Sequence, residues 1–118
     1  MKYESLIQDF LKEFPEIRNI ATEKSNSWDS EIPLIHVFFG YVLNPFINQE
    51  LISLENPILL DRIFQFLEKM AISDDESVHE VLALTILQWI GQDSTRLKNA
   101  RKMMRPNTLK LSYDIEKA

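Results

Sequence analysis

The chain has 118 residues and a mass of 13.9 kDa, the length of one domain, so a single helical unit over 1–118 is expected. With 45% apolar residues and seven Phe, three Tyr and two Trp it can fill a core, which excludes disorder throughout. It has no cysteine and two glycines, Gly40 and Gly91. That excludes disulfides, thiolate catalysis, Cys-ligated zinc and iron–sulfur clusters, and argues against phosphate-cradling glycine loops and turn-rich β folds. The net charge of −5 is unevenly placed: residues 1–92 carry six Lys/Arg against fifteen Asp/Glu, and residues 93–118 carry seven against three. Such asymmetry reads either as a surface with two opposite faces or as plain solvation.

The start, MKYESLIQDFLKEF, is acidic and amphipathic and lacks the uninterrupted apolar stretch of a secretory signal. The longest mostly apolar run, 33–43, contains His36 and is far below the ~20 residues of a membrane span. A cytoplasmic protein that does not enter a membrane is expected.

In chain order, Leu6, Ile7, Phe10, Leu11 and Phe14 share one face of a helix. Pro15 ends that run or opens a second short helix to about Lys24. Residues 25–30 read as a loop, with Asp29 or Ser30 able to cap the next helix. Residues 31–54 are apolar but contain Pro45, which lacks an N–H and crowds the preceding turn. Two helices, about 31–43 and 46–54, or one helix kinked near Asn44, would satisfy that. Asn56-Pro57 is a strong start signal for another helix. Its apolar stripe is Leu60, Ile63, Phe64, Leu67, Met70 and Ala71, opposite Asp61, Arg62, Gln65, Glu68 and Lys69.

Ser73 and Glu76 have capping-box spacing. The helix they open is expected to run to Ile90 and to stop at Gly91 in a left-handed cap. Because VLALTILQWI is apolar nearly all round, this predicts a buried central helix with Leu84, Leu87 and Ile90 inside. Asp93 should cap a basic helix to about Met104, ended by Pro106. In the tail, Leu109, Leu111, Tyr113 and Ile115 alternate as in a strand. A lone strand has no partner, however, and Asn107 can cap, so a helix is expected. The sum is an all-α fold with about 75–80% helix, far above the average. Helix pairs over 31–54, 57–90 and 94–116 suggest a compact bundle or a short HEAT/armadillo-like stack of helix hairpins.

No residue set assigns a catalytic, cofactor-binding or metal role, so no enzyme, cofactor or metal is expected. His79-Glu80 begins like a zinc-protease helix, but Ala83 stands where the second histidine belongs. His36, in an apolar segment, reads as a hydrogen-bonded core histidine. Asp74, Asp75 and Glu76 lack the ligand spacing and glycine of a calcium loop, and capping explains them. Arg96, Lys98, Arg101, Lys102 and Arg105 could neutralise phosphates. The acidic remainder and the lack of interleaved aromatics argue against nucleic acid and for a solvated helix paired with the acidic body. Trp89 reads as core. Trp28, in a polar loop, either folds back or anchors a partner. Acids in two clusters exceed what capping uses. The expected partner-binding residues are therefore Glu23, Trp28, Asp29, Glu31, Asp74, Asp75 and Glu80, facing a basic protein.

Taken together, FGYVLNPFI, DRIFQFLEKMAISDDESVHEVLALTILQWIG and ARKMMRPNTLKLS resemble a family of small, acidic, single-domain bacterial proteins of HEAT-like look and no assigned activity. The resemblance spans roughly residues 32–116 and rests on caps, turns and core positions. Proteins of this character are similar to immunity proteins encoded beside bacterial toxins. The resemblance implies a protein-binding domain that neutralises a cognate toxin by occluding its basic surface. A helical adaptor or regulator of another bacterial protein is the alternative, and a small enzyme ranks last.

Overall fold

The computed structural model describes residues 1–17, 35–53 and 55–117. Helix takes up 86% of the structure, and the described residues contain no strand. A short 3₁₀ turn, Tyr3–Ser5, leads into α1, Leu6–Glu13. Residues 15–17 are again helical, so Pro15 opens a turn. The expected loop at 25–30 and its caps lie outside the described residues.

α2 is continuous through Ile35–Phe38, a π segment Phe39–Leu43, and Asn44–Ser53. Pro45 therefore does not split it. The Asn44 N–H donates to the Phe39 carbonyl, five residues back. This wider turn just before the proline gives its ring room among carbonyls that a tight α-turn would crowd.

α3, Pro57–Ala71, begins as expected: the Asn56 side chain accepts from the Leu59 N–H at 3.1 Å, with Pro57 in the first turn. The buried face is wider than the sequence stripe. Leu59 and Phe66 are buried beside Leu60, Ile63, Phe64, Leu67 and Met70, while Ala71 is half-buried.

α4 runs through Glu76–Glu80, a second π segment Val81–Leu87, and Gln88–Ile90. Four expectations fail here. The cap is Asp75, not Ser73: its Oδ1 accepts from the Ser77 N–H at 3.0 Å. Leu84 is 57% exposed, although Leu87 and Ile90 are buried. The physical reason is the π winding, whose i→i+5 repeat places Val81/Leu82 and Ile86/Leu87 on one face, five residues apart, and turns Leu84 outward. Finally, Gly91 has φ −71°, an ordinary right-handed conformation. The carbonyls at that end are satisfied by Arg96 instead, whose Nη2 donates to the Trp89 carbonyl at 2.6 Å. Its guanidinium lies 3.9 Å from the Trp89 ring centroid, so Trp89 sits half-buried at the rim, not in the core.

α5, Ser94–Met103, is capped by Asp93, which accepts from the Arg96 N–H at 3.0 Å. α6, Pro106–Lys117, confirms a helical tail. Its cap is not Asn107. Glu68 of α3 accepts from the N–H and Nδ2 of Asn107 and from the N–H and Oγ1 of Thr108, at 2.8–3.1 Å. A carboxylate from another helix thus closes the positive end of α6.

One apolar core joins all six helices, with half-buried Leu109, Leu111 and Ile115 of α6 packed against it. Phe10 stands at its aromatic centre, with ring centroids 4.8 Å from Phe14, 5.4 Å from Phe39 and 5.3 Å from Phe66.

Candidate protein-docking face

The N-terminal segment is tied to the turn between α3 and α4. The Tyr3 N–H donates to Asp75 Oδ2 at 2.9 Å, and the Ser73 hydroxyl donates to the Met1 carbonyl at 2.8 Å. These bonds hold α1 against α3 and leave an open groove of about 860 Å³ between them. Phe66 and Ile72 supply its apolar lining, and Asp9, Lys12, Glu13, Lys69 and Asp74 its charged rim. Phe66 is buried to 1% exposure, whereas Ile72 is 64% exposed. An apolar centre within a polar rim is the anatomy of a protein-binding patch.

Of the residues singled out from sequence, Glu23, Trp28, Asp29 and Glu31 lie outside the described residues. Asp74 lines the groove and is exposed, and Glu80 is exposed on α4 but does not line it. Asp75 has another task. Both its oxygens accept backbone N–H groups, from Tyr3 and from Ser77. The Tyr3 bond is the main reason its carboxyl is held below the ordinary Asp value; partial burial opposes this, and Ser77, the nearby Lys2 charge and Val78 add to the lowering. A carboxylate spent on two amides is a structural clasp.

Other acids are also paired. Glu13 meets Lys69 at 2.8 Å and Glu16 meets Arg62 at 3.2 Å. Asp74, Glu76 and Glu80 have no ion-pair or side-chain hydrogen-bond partner among the described residues. They leave a run of unanswered negative charge next to Ile72. Ile72 was not among the residues expected from sequence, because the stripe of α3 ended at Ala71. The signal was an isoleucine at the edge of the last helical residue, directly before the polar Ser73-Asp74.

Of the two histidines, His79 has a buried Nε2 without a hydrogen-bond partner among the described residues, whereas His36 is bonded. His36 Nδ1 hydrogen-bonds to Thr85 Oγ1, and Asn44 Nδ2 donates to the Thr85 carbonyl at 3.0 Å. The α-helical residues on either side of the first π segment are thereby tied to the second, and His36 is hydrogen-bonded as expected but half-buried, not in the core. Among the described residues no three His, Asp or Glu side chains gather as a metal site. None of their helices is long and apolar enough to cross a membrane.

A family model described as "Domain of unknown function (DUF7674)" matches residues 7–117. The chain belongs to this family. It matches no curated protein and no solved structure.

Proposed function

We propose that this chain is a protein-binding domain that neutralises a basic partner, of the bacterial toxin class, by covering its basic surface. The observation that carries this reading is the exposed Ile72, 64% accessible, directly before the acidic run Asp74, Asp75 and Glu76 and at the mouth of a groove whose charged border holds Asp9, Glu13 and Asp74 together with Lys12 and Lys69. Glu76 and Glu80, without a partner among the described residues, extend the negative field along α4. An apolar anchor beside the exposed acids Asp74, Glu76 and Glu80 favours a cationic protein surface carrying its own apolar residue. Glu23, Trp28, Asp29 and Glu31 join the proposal as a second set, on residue type alone. The acidic rim would act mainly on the association rate and would weaken as salt screens it.

The test is co-expression with the neighbouring gene's product, and then association kinetics at low and high salt. The expected result is a complex whose association slows with salt and with Asp74→Lys/Glu76→Lys/Glu80→Lys, and whose dissociation speeds with Ile72→Ser. Reversal at Glu23, Asp29 and Glu31 tests the second set. A complex indifferent to salt and to both reversals would sink the acidic-occlusion mechanism. Absence of a complex, with no protection of cells from the neighbouring product, would sink the immunity reading. A complex with a protein that is not toxic to cells would point to the adaptor role.

A further inference from the structure

The C-terminal helices build a second groove, lined mainly by cations. α5 and α6 border an open cleft of about 540 Å³, lined by Leu97, Lys98, Arg101, Lys102, Leu109 and Tyr113, with Ser94 and Glu116 at its edge. The spacing explains the lining. Lys98 and Lys102 lie four residues apart on α5, as do Leu109 and Tyr113 on α6, so each pair shares one helix face. Leu97 and Leu109 are half-buried against the core and make the apolar floor. Tyr113 is 44% exposed and makes one wall.

The three cations of this cleft are not equivalent. Arg101 is fixed: its guanidinium lies 4.0 Å from the Tyr113 ring centroid, and its Nη2 meets Glu116 Oε2 at 2.9 Å. It also reaches the Ser112 hydroxyl at 3.3 Å. Its charge is answered within the hairpin, and it braces the tyrosine. Lys98 and Lys102 are exposed and have neither an ion pair nor a hydrogen-bond partner among the described residues. Arg96 and Arg105 are likewise engaged elsewhere, on the Trp89 carbonyl and on Asp61 at 3.5 Å. Of the five cations that stand close together in sequence, the two left unanswered are thus the two lysines that border an apolar cleft with an aromatic wall.

We propose that the cleft between α5 and α6 binds an acidic amphipathic helix of a partner protein. The partner's apolar stripe would lie on Leu97, Leu109 and Tyr113, and its carboxylates would meet Lys98 and Lys102. Charge complementarity selects this occupant, since residues 93–118 carry seven Lys/Arg against three Asp/Glu. The apolar floor selects a helix with a hydrophobic face over a bare polyanion. A nucleic acid would find one aromatic, with one ring face already covered by Arg101, and the repulsion of an acidic body. This face is separate from the acidic one, so the inference stands without the proposed function.

The probe is a fluorescent synthetic helix of about 16 residues, with Leu at i, i+3, i+4 and i+7 and Glu between. Its comparators are a scrambled isomer of equal charge and an oligouridine of similar length, all read by fluorescence anisotropy on the full chain. The expected result is binding of the amphipathic helix at least about tenfold tighter than of either comparator. Lys98→Glu/Lys102→Glu should weaken it about tenfold or more and Tyr113→Ala about fivefold, with the milder Lys98→Gln/Lys102→Gln as a check should the reversal perturb folding. Lys110→Glu/Lys117→Glu, on α6 but outside the cleft, should leave it within about twofold. Equal binding of the scrambled peptide, tighter binding of oligouridine, no binding of the helix, or equal loss from the Lys110/Lys117 pair would each overturn the proposal.

Discussion

The aromatic seam around Phe10 and the C-terminal hairpin α5–α6 hold the same molecule together by different physics. At the seam, Phe10, Phe14, Phe38, Phe39 and Phe66 are buried to 2% exposure or less and meet mostly edge to face. In the hairpin the buried residues are Ala100, Met104, Thr108 and Ser112, two of them polar. Besides the apolar packing of Leu97, Leu109, Leu111 and Ile115, its attachment uses charged side chains that cap helices: Glu68 on α6, and Arg96 on the end of α4. Apolar burial scales with area and tolerates small displacements, whereas a cap works only when donor and acceptor are aligned. The seam therefore provides bulk stability, and the caps fix where the hairpin sits.

The largest effect should come from the seam. Phe10→Ala should destabilise the fold by about 3–5 kcal/mol, measured by urea denaturation, because it removes a ring that touches four others. Leu87→Ala, on the buried side of the second π segment, should come next at about 2–5 kcal/mol. A loss under half a kcal/mol there would mean that α4 is not central.

The hairpin should respond to a smaller, polar change. Glu68→Ala should cost about 2 kcal/mol and raise amide exchange selectively in the first turn of α6. Uniform exchange across the chain would mean that Glu68 does not hold α6 specifically.

A pH series sharpens the comparison. Burial pushes the Glu68 carboxyl up, but the four hydrogen bonds from Asn107 and Thr108 outweigh it and leave it below the ordinary Glu value. Asp75 is lowered too, chiefly by the Tyr3 amide. A carboxylate lowered on folding contributes stability that is fully present above its unfolded pKa, near 4, and disappears as pH falls through the lower folded value. Stability should thus drop below about pH 4, with Glu68→Gln and Asp75→Asn flattening that drop. An acid limb unchanged in both variants would remove these two groups as its cause. The smallest effect is expected at Leu84→Ser, within about 0.5 kcal/mol, since this exposed position lies outside the core.

Much of the fold was legible locally. The Asn56-Pro57 start, the Asp93 cap, the stripe of α3 and the helical tail each depend on residues within a turn or two of one another. Among the described residues helix makes up 86%. The errors cluster where a neighbour intervened. Ser73 had the capping-box spacing, yet Asp75 took the cap because the N-terminal segment supplied it with the Tyr3 amide. Leu84 looked buried because α-helical and π-helical windings share one apolar sequence and differ only in which residues they turn inward. Of the expected binding residues, Asp74 and Glu80 are exposed, while Asp75 is withdrawn into a clasp that no local pattern announces.

The sequence by itself determined an all-α chain, the places where most helices begin, the absence of thiol chemistry and the division into an acidic body and a basic end. Only the tertiary structure decided which charges are spent. Glu68 is 39 and 40 residues from the groups it caps, Asp75 is 72 from Tyr3, and Ile72 comes to line a groove only once α1 packs beside α3. Periodicity and local caps report interactions within about one helical turn. A pairing across the fold depends on which surfaces the core brings together, and that is settled only when the core has formed.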